Sequence, residues 1–238
     1  MSAPLRLHGY AVSNYFNIAH AALLEKHARF EVVTTRASQD EAFLAVSPMG
    51  KIPVLETPQG WLAETVAIIE YLEDSLDGPA LHAADAFQRA RERQLINVMQ
   101  MYVEVPVRSL FPGVFMGGEN SQATIDAARA VLDRAIGALR RLAEPRPFLM
   151  GDSLSCADLF AFYCLDIAER VSRFVYQRSI LADLGLEQWA LHMAQRDSTR
   201  QVLANFDEVF APYLAARNAA YQFQPTCYSA ASRFHGAD

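Results

Sequence analysis

The segment Gly50-Lys51-Ile52-Pro53-Val54-Leu55-Glu56 restricts the fold more than any other stretch of the chain. Pro53 lies in an apolar, β-favouring run, yet a proline within a central strand removes a ladder hydrogen bond. It should therefore open a strand, with Ile52 held extended before it. Only an X-Pro bond takes the cis form cheaply. That geometry would turn the Ile52 N–H and C=O outward, free to pair with an extended peptide. A turn at Pro58-Gln59-Gly60, a second strand at Trp61-Leu62-Ala63 and a helix start at Glu64-Thr65 follow. The first-turn N–H groups of a helix favour an anion. One short segment thus offers a backbone edge for a peptide and a helix N-terminus for a carboxylate.

The residues around it supply the rest of a small α/β domain. Leu5 to Tyr10 alternates weakly and reads as a strand. Ser13 precedes a helix with Tyr15, Ile18, Ala19, Ala22 and Leu23 at helical spacing, ending near Lys26-His27. Phe30-Glu31-Val32-Val33-Thr34 is a β-branched second strand, so the first two strands should be parallel with a right-handed crossover. Gln39 to Val46 predicts a short helix, stopped by Ser47-Pro48. After the two later strands, Ile68, Ile69, Leu72 and Leu76 mark one face of another helix. The order βαβ-α-ββα is that of a thioredoxin-like domain over residues 1–78, with 79–84 as linker and the boundary at Asp77-Gly78-Pro79-Ala80.

Beyond the linker the pattern is helical almost throughout, giving an all-α second domain over 85–215 and a tail over 216–238. Long helices are predicted over about 85–105 and 122–142, with Pro106 expected to kink or end the first. Ser155-Cys156-Ala157-Asp158 is a capping box. Phe160, Ala161, Cys164, Leu165 and Ala168 then follow at core-helix spacing. Further helices are expected around 174–184, 188–196 and 199–214, and the tail carries Tyr221, Phe223, Tyr228 and Phe234 without periodicity.

Ser47-Pro48-Met49-Gly50-Lys51-Ile52-Pro53-Val54-Leu55 with Glu64-Thr65 resembles the glutathione-binding half of the glutathione transferase family. The family usually shows Asn-Pro-x-Gly-Lys-Val/Ile-Pro and then Glu-Ser, so Ser47 and Thr65 depart mildly from it. Thr65 keeps the hydroxyl used on the γ-glutamyl carboxylate. A Ser/Thr-x-x-Asp box likewise opens the family's central core helix, and the resemblance covers roughly residues 5–200.

The resemblance implies an enzyme that binds glutathione as co-substrate and conjugates its thiolate to a small hydrophobic electrophile, a detoxification chemistry. A free thiol near pKa ~8.5 is mostly protonated at neutral pH, so the protein must favour the charged form. Ser13 aligns with the serine or cysteine that other members place at this helix start. Tyr10 is the other candidate catalytic group, with Asn14 and Tyr15 further behind and Tyr15 falling on the apolar face. For the rest of glutathione, Ile52 and Pro53 would present the backbone edge to the cysteinyl part. Glu64 would face the γ-glutamyl amine and Thr65 its carboxylate, while Lys51 and Gln39 would approach the glycyl end. Met99, Tyr102, Val103, Pro106, Leu110 and Phe115 supply apolar side chains for an electrophile pocket between the domains. Tyr102, Pro106 and Phe115 lead that set.

Position 13 holds no cysteine, and Cys156, Cys164 and Cys227 fall in the helical half or the tail. Glutathione-dependent disulfide exchange through an enzyme mixed disulfide is therefore disfavoured. The cysteines have no CxxC spacing, and the six histidines lie far apart, so no metal site is expected. Residues 1–78 carry ten acids against five bases in a chain of net charge −6. An acidic chain without a basic stripe is a poor nucleic-acid binder. No apolar run approaches a membrane span and no signal peptide is visible at the start, and three cysteines that cannot all pair lead to the expectation of a reduced, cytoplasmic compartment. The family implies a homodimer. Two rivals remain: a glutathione-dependent isomerase or dehalogenase on the same fold, and a non-catalytic protein-binding module.

Overall fold

A computed structural model describes residues 5–222 and 226–228. The chain divides into two compact units, one up to His82 and the other from Ala83.

The first unit is built on a four-stranded sheet. Strands β1 (Leu5–Gly9), β2 (Phe30–Thr34), β3 (Val54–Thr57) and β4 (Gly60–Ala63) lie in the order β2-β1-β3-β4. β1 and β2 are parallel, with Leu5 opposite Phe30 and Gly9 opposite Thr34. β3 runs antiparallel to both β1 and β4. Along β1 the alternation is strict, with Leu5, Leu7 and Gly9 buried and Arg6 and His8 partly exposed, the period-2 signature of a sheet with one packed face. Leu7 sits opposite Leu55 on that face, and both are fully buried.

Helices α1 (Asn14–Glu25) and α3 (Thr65–Ser75) pack against each other, burying Ile18, Ala19, Ala22 and Leu23 of the first and Ile68, Ile69 and Leu72 of the second. At the far end of α1, Lys26 Nζ pairs with Glu73 Oε2 at 3.0 Å, and the same carboxylate accepts the Leu81 N–H at 3.0 Å. The α1 face is set one position from the predicted one. Phe16 is buried while Tyr15 stays half-exposed. The reason is Gly9: a Cβ there would stand 2.1 Å from the Phe16 ring, so the bare backbone end of β1 is the seat that Phe16 fills. Leu76 caps α3 in extended conformation and is only half-buried. The helix predicted over 39–46 shrinks to α2 (Glu41–Leu44), which buries no side chain. Gln39 is drawn out of it because its amide donates to the Met49 carbonyl at 3.3 Å.

The second unit is helical. It comprises α4 (Ala86–Val98), a π-helix (Met99–Glu104), α5 (Val105–Arg108), α6 (Phe111–Phe115), α7 (Gln122–Leu142), α8 (Cys156–Tyr176), α9 (Ile180–Leu184), α10 (Glu187–Ala194) and α11 (Asp197–Ala215). Pro106 does not break the first helical run; the run widens ahead of it. In α geometry the proline ring would collide with the carbonyl of Tyr102, four residues back. The wider turn avoids this, and the Val105 N–H donates to the Gln100 carbonyl, five residues back.

α8 is the core helix, buried along most of its length from Cys156 to Ser172. It outruns the predicted pattern and ends at Gln177, whose φ of 53° puts it in the left-handed region. Two tail residues pack on this unit. Tyr221 meets the rings of Phe115, Phe174 and Phe210, and the Tyr228 hydroxyl donates to Asp166. Phe223 and Phe234 lie outside the described residues.

Candidate functional site

Strand register gathers the predicted residues of the first unit at one end of its sheet. Val54 pairs with Ala63 on one side and with His8 on the other. The residues just beyond those pairs are Ile52-Pro53, Glu64-Thr65 and Gly9-Tyr10. They share the sheet edge at which β1 runs into α1 and β4 into α3. The two helix starts also touch: the Thr65 hydroxyl donates to the Tyr15 carbonyl at 3.4 Å. Two N-termini with their unpaired N–H groups therefore stand side by side.

Ser13 is the N-cap of α1. It is extended (φ −81°, ψ 117°), and its hydroxyl accepts the Phe16 N–H at a long 3.4 Å. That length leaves the hydroxyl loosely held. Its own N–H donates to the Tyr10 carbonyl at 2.9 Å, closing a tight turn that holds Tyr10 close to it in space. Asn17, buried one turn into α1, donates from its amide to the Ala11 carbonyl at 2.9 Å and pins this turn from below. Asn14 is buried and Tyr15 half-exposed beside it.

The Ile52–Pro53 bond is cis, and the β3 ladder starts only at Val54, so Ile52 stands ahead of the paired strand. The loop before it is locked by Ser47, whose hydroxyl accepts the Lys51 N–H at 3.0 Å and donates to the Lys51 carbonyl at 2.7 Å. Ser47 is buried, and in this position it does what a side-chain amide also does, bridging both polar groups of one residue. Gly50 has φ +65°, and a Cβ there would come within 2.2 Å of the Ser38 carbonyl, so only glycine fits the turn. Lys51 is exposed, and so is Gln39, with its amide tied to the same loop. Glu64, the residue before α3, is exposed with φ 67° and makes no capping bond, while Thr65 is buried.

Matches to known proteins identify the family. Residues 7–80 match the family model described as "Glutathione S-transferase, N-terminal domain", and residues 122–194 match "Glutathione S-transferase, C-terminal domain". A "Glutathione S-transferase" of Pseudomonas putida is 40% identical over 179 residues, covering 75% of this chain and 81% of the relative.

This chain belongs to the glutathione S-transferase family.

As a member it is a transferase enzyme with glutathione as co-substrate. A solved glutathione S-transferase from Rhodospirillum rubrum superposes with a TM-score of 0.69 at 27% identity, covering 84% of this chain and 91% of that one. A "Maleylacetoacetate isomerase" of Pseudomonas aeruginosa is 29% identical over 132 residues, which is 54% of this chain and 62% of the relative.

In the second unit of this transferase the apolar candidates do not form one exposed set. Tyr102 is 53% exposed. Met99, Val103, Pro106 and Leu110 are buried. Phe115 is buried between the rings of Phe111, Phe210 and Tyr221, in the core of the helical unit. Two residues of the first unit escaped the sequence reading. Asn17 reads there as a polar interruption of an apolar helix. Arg36 lies with its guanidinium carbon 4.2 Å from the Tyr10 ring centroid, a cation–π contact that no spacing rule signals.

Proposed function

We propose that this chain activates the glutathione thiol at Ser13 and transfers it to a small hydrophobic electrophile. The observation that carries the reading is the contact of the two helix starts, Thr65 Oγ1 to the Tyr15 carbonyl, at the sheet end where Ile52 precedes its strand. The γ-glutamyl carboxylate meets the α3 N-terminus at Thr65, and the γ-glutamyl amine meets Glu64. The Ile52 backbone, turned by the cis bond to Pro53, pairs with the cysteinyl part. Lys51, with Gln39, takes the glycyl carboxylate. The sulfur then lies by the α1 N-terminus, where the Ser13 hydroxyl and the helix dipole both favour thiolate over thiol. Tyr10 is the second hydroxyl within reach of this turn. Of the apolar set, Tyr102 is the side chain exposed enough to touch an electrophile, with Pro106 and Phe115 packed in the body of its unit.

Ser13→Ala is expected to raise the pKa of the bound thiol by about one unit or more, moving the pH–rate profile alkaline while glutathione affinity changes little. An unaltered profile would remove Ser13 from the mechanism, and a shift produced by Tyr10→Phe instead would transfer the role. An isomerase would be recognised by turnover of an unsaturated substrate without consumption of glutathione. The reading further places the chain in the cytoplasm as a homodimer, and light scattering at twice the chain mass would agree while a monomer mass would refute it.

A further inference from the structure

We propose that Arg36 makes this site selective for electrophiles that carry a carboxylate beside an apolar, aromatic body. The proposal rests on the glutathione site described above and adds a charge requirement to it.

Thr35, next to Arg36, donates its N–H to the Gly9 carbonyl at 2.8 Å, so the chain leaving β2 runs beside the turn that leads to Ser13. Arg36 then lays its guanidinium on the Tyr10 ring, and Tyr10 is itself closed onto Ser13 by a 2.9 Å hydrogen bond. A guanidinium held over a ring by a cation–π contact spends none of its N–H donors on that contact and keeps its planar fork for the two oxygens of a carboxylate. Arg36 is exposed, and among the described residues it makes no hydrogen bond and no ion pair.

The other bases of this acidic unit are differently placed. Arg6 pairs with Glu31 at 3.5 Å and Glu56 at 3.0 Å, and Lys26 pairs with Glu73 at 3.0 Å. Arg29 precedes β2, at the opposite end of the sheet. Of the five bases of this unit, Arg36 and Lys51 are the two at the end proposed to bind glutathione for which no ion pair is seen among the described residues. Glutathione itself uses fewer. Its γ-glutamyl carboxylate goes to the α3 N-terminus, its glycyl carboxylate to Lys51, and its thiolate to Ser13 and the α1 N-terminus. One cation is left over, held on Tyr10 at the turn that closes onto Ser13. A thiolate repels an anionic electrophile, and a fixed cation at this place offsets that repulsion.

The test compares 4-chloro-3-nitrobenzoate with its neutral methyl ester. In both, the glutathione sulfur forms the new C–S bond and chloride leaves with the electron pair of the C–Cl bond. Arg36→Gln is expected to lower kcat/KM for the benzoate about tenfold or more, chiefly through KM, and to leave the ester within about twofold. Arg36→Lys, which keeps the charge but not the planar fork, should fall between. Glutathione affinity measured by calorimetry on the same variants should not change. Equal losses on both electrophiles would overturn the proposal. So would weakened glutathione binding in Arg36→Gln, because the carboxylate held would then be glutathione's own. Failure of the unmutated protein to bind glutathione would overturn the site itself.

Discussion

His20 is buried with its ring 5.6 Å from that of Phe16 and 5.5 Å from that of Phe30, and its Nδ1 has no hydrogen-bond partner. Burial without a counter-charge disfavours imidazolium, and the pKa falls from 6.5 to about 4. Because the folded-state pKa is depressed, the unfolded chain binds the extra proton between those two values. Stability is therefore complete above about pH 6.5 and is lost as pH falls towards 4. By pH 5 the loss is about 2 kcal/mol. His20→Phe keeps the ring and should remove that slope, so urea unfolding at pH 7 and pH 5 should show the variant gaining on the parent at the lower pH. Parallel losses in the two proteins would contradict this. At this scale the sequence was partly legible. Pro53, Gly50 and Ser13 announce themselves because each suits only a narrow backbone setting. Arg36 and Asn17 do not, since what they do depends on which loop folds across them.

Among elements, α8 shows how a local signal understates its role. The box at its start forms as the sequence implies: the Ser155 N–H and hydroxyl each donate to Asp158 Oδ2 at 3.0 Å. Asp158 Oδ1 also accepts the Leu149 N–H at 2.7 Å and the Trp189 indole N–H at 3.0 Å. One carboxylate thus ties the loop before α8 and helix α10 to the core helix. Ser155→Ala should cost about 1 kcal/mol. Asp158→Ala strands several buried donors and should cost roughly 3–5 kcal/mol. Urea midpoints would show it, and equal losses would mean that the cap alone matters. Sequence predicted the box because its partners lie three residues apart. Leu149 and Trp189 join it only through tertiary packing. The π-helix before Pro106 was hidden for a related reason. Proline forbids the ordinary turn, but whether the chain kinks, stops or widens depends on what the surrounding helices accommodate.

Across the whole molecule, an α/β part followed by a helical part was readable from the change of period near residue 80, and the parallel pairing of β1 with β2 from the strand–helix–strand order. The placement of the apolar substrate candidates was not. Tyr102 and Phe115 carry similar apolar rings in the sequence, yet one is exposed and the other is enclosed by aromatic rings from α6, α11 and the tail. Helical spacing gives the face of a helix but not which neighbour covers it. The account as a whole stands on glutathione binding in the first unit. The most direct measurement is calorimetric titration of the intact chain with reduced glutathione. The account predicts saturable binding of one glutathione per chain. Absence of binding at millimolar ligand would contradict it, and would leave the paired helix starts with a structural role alone.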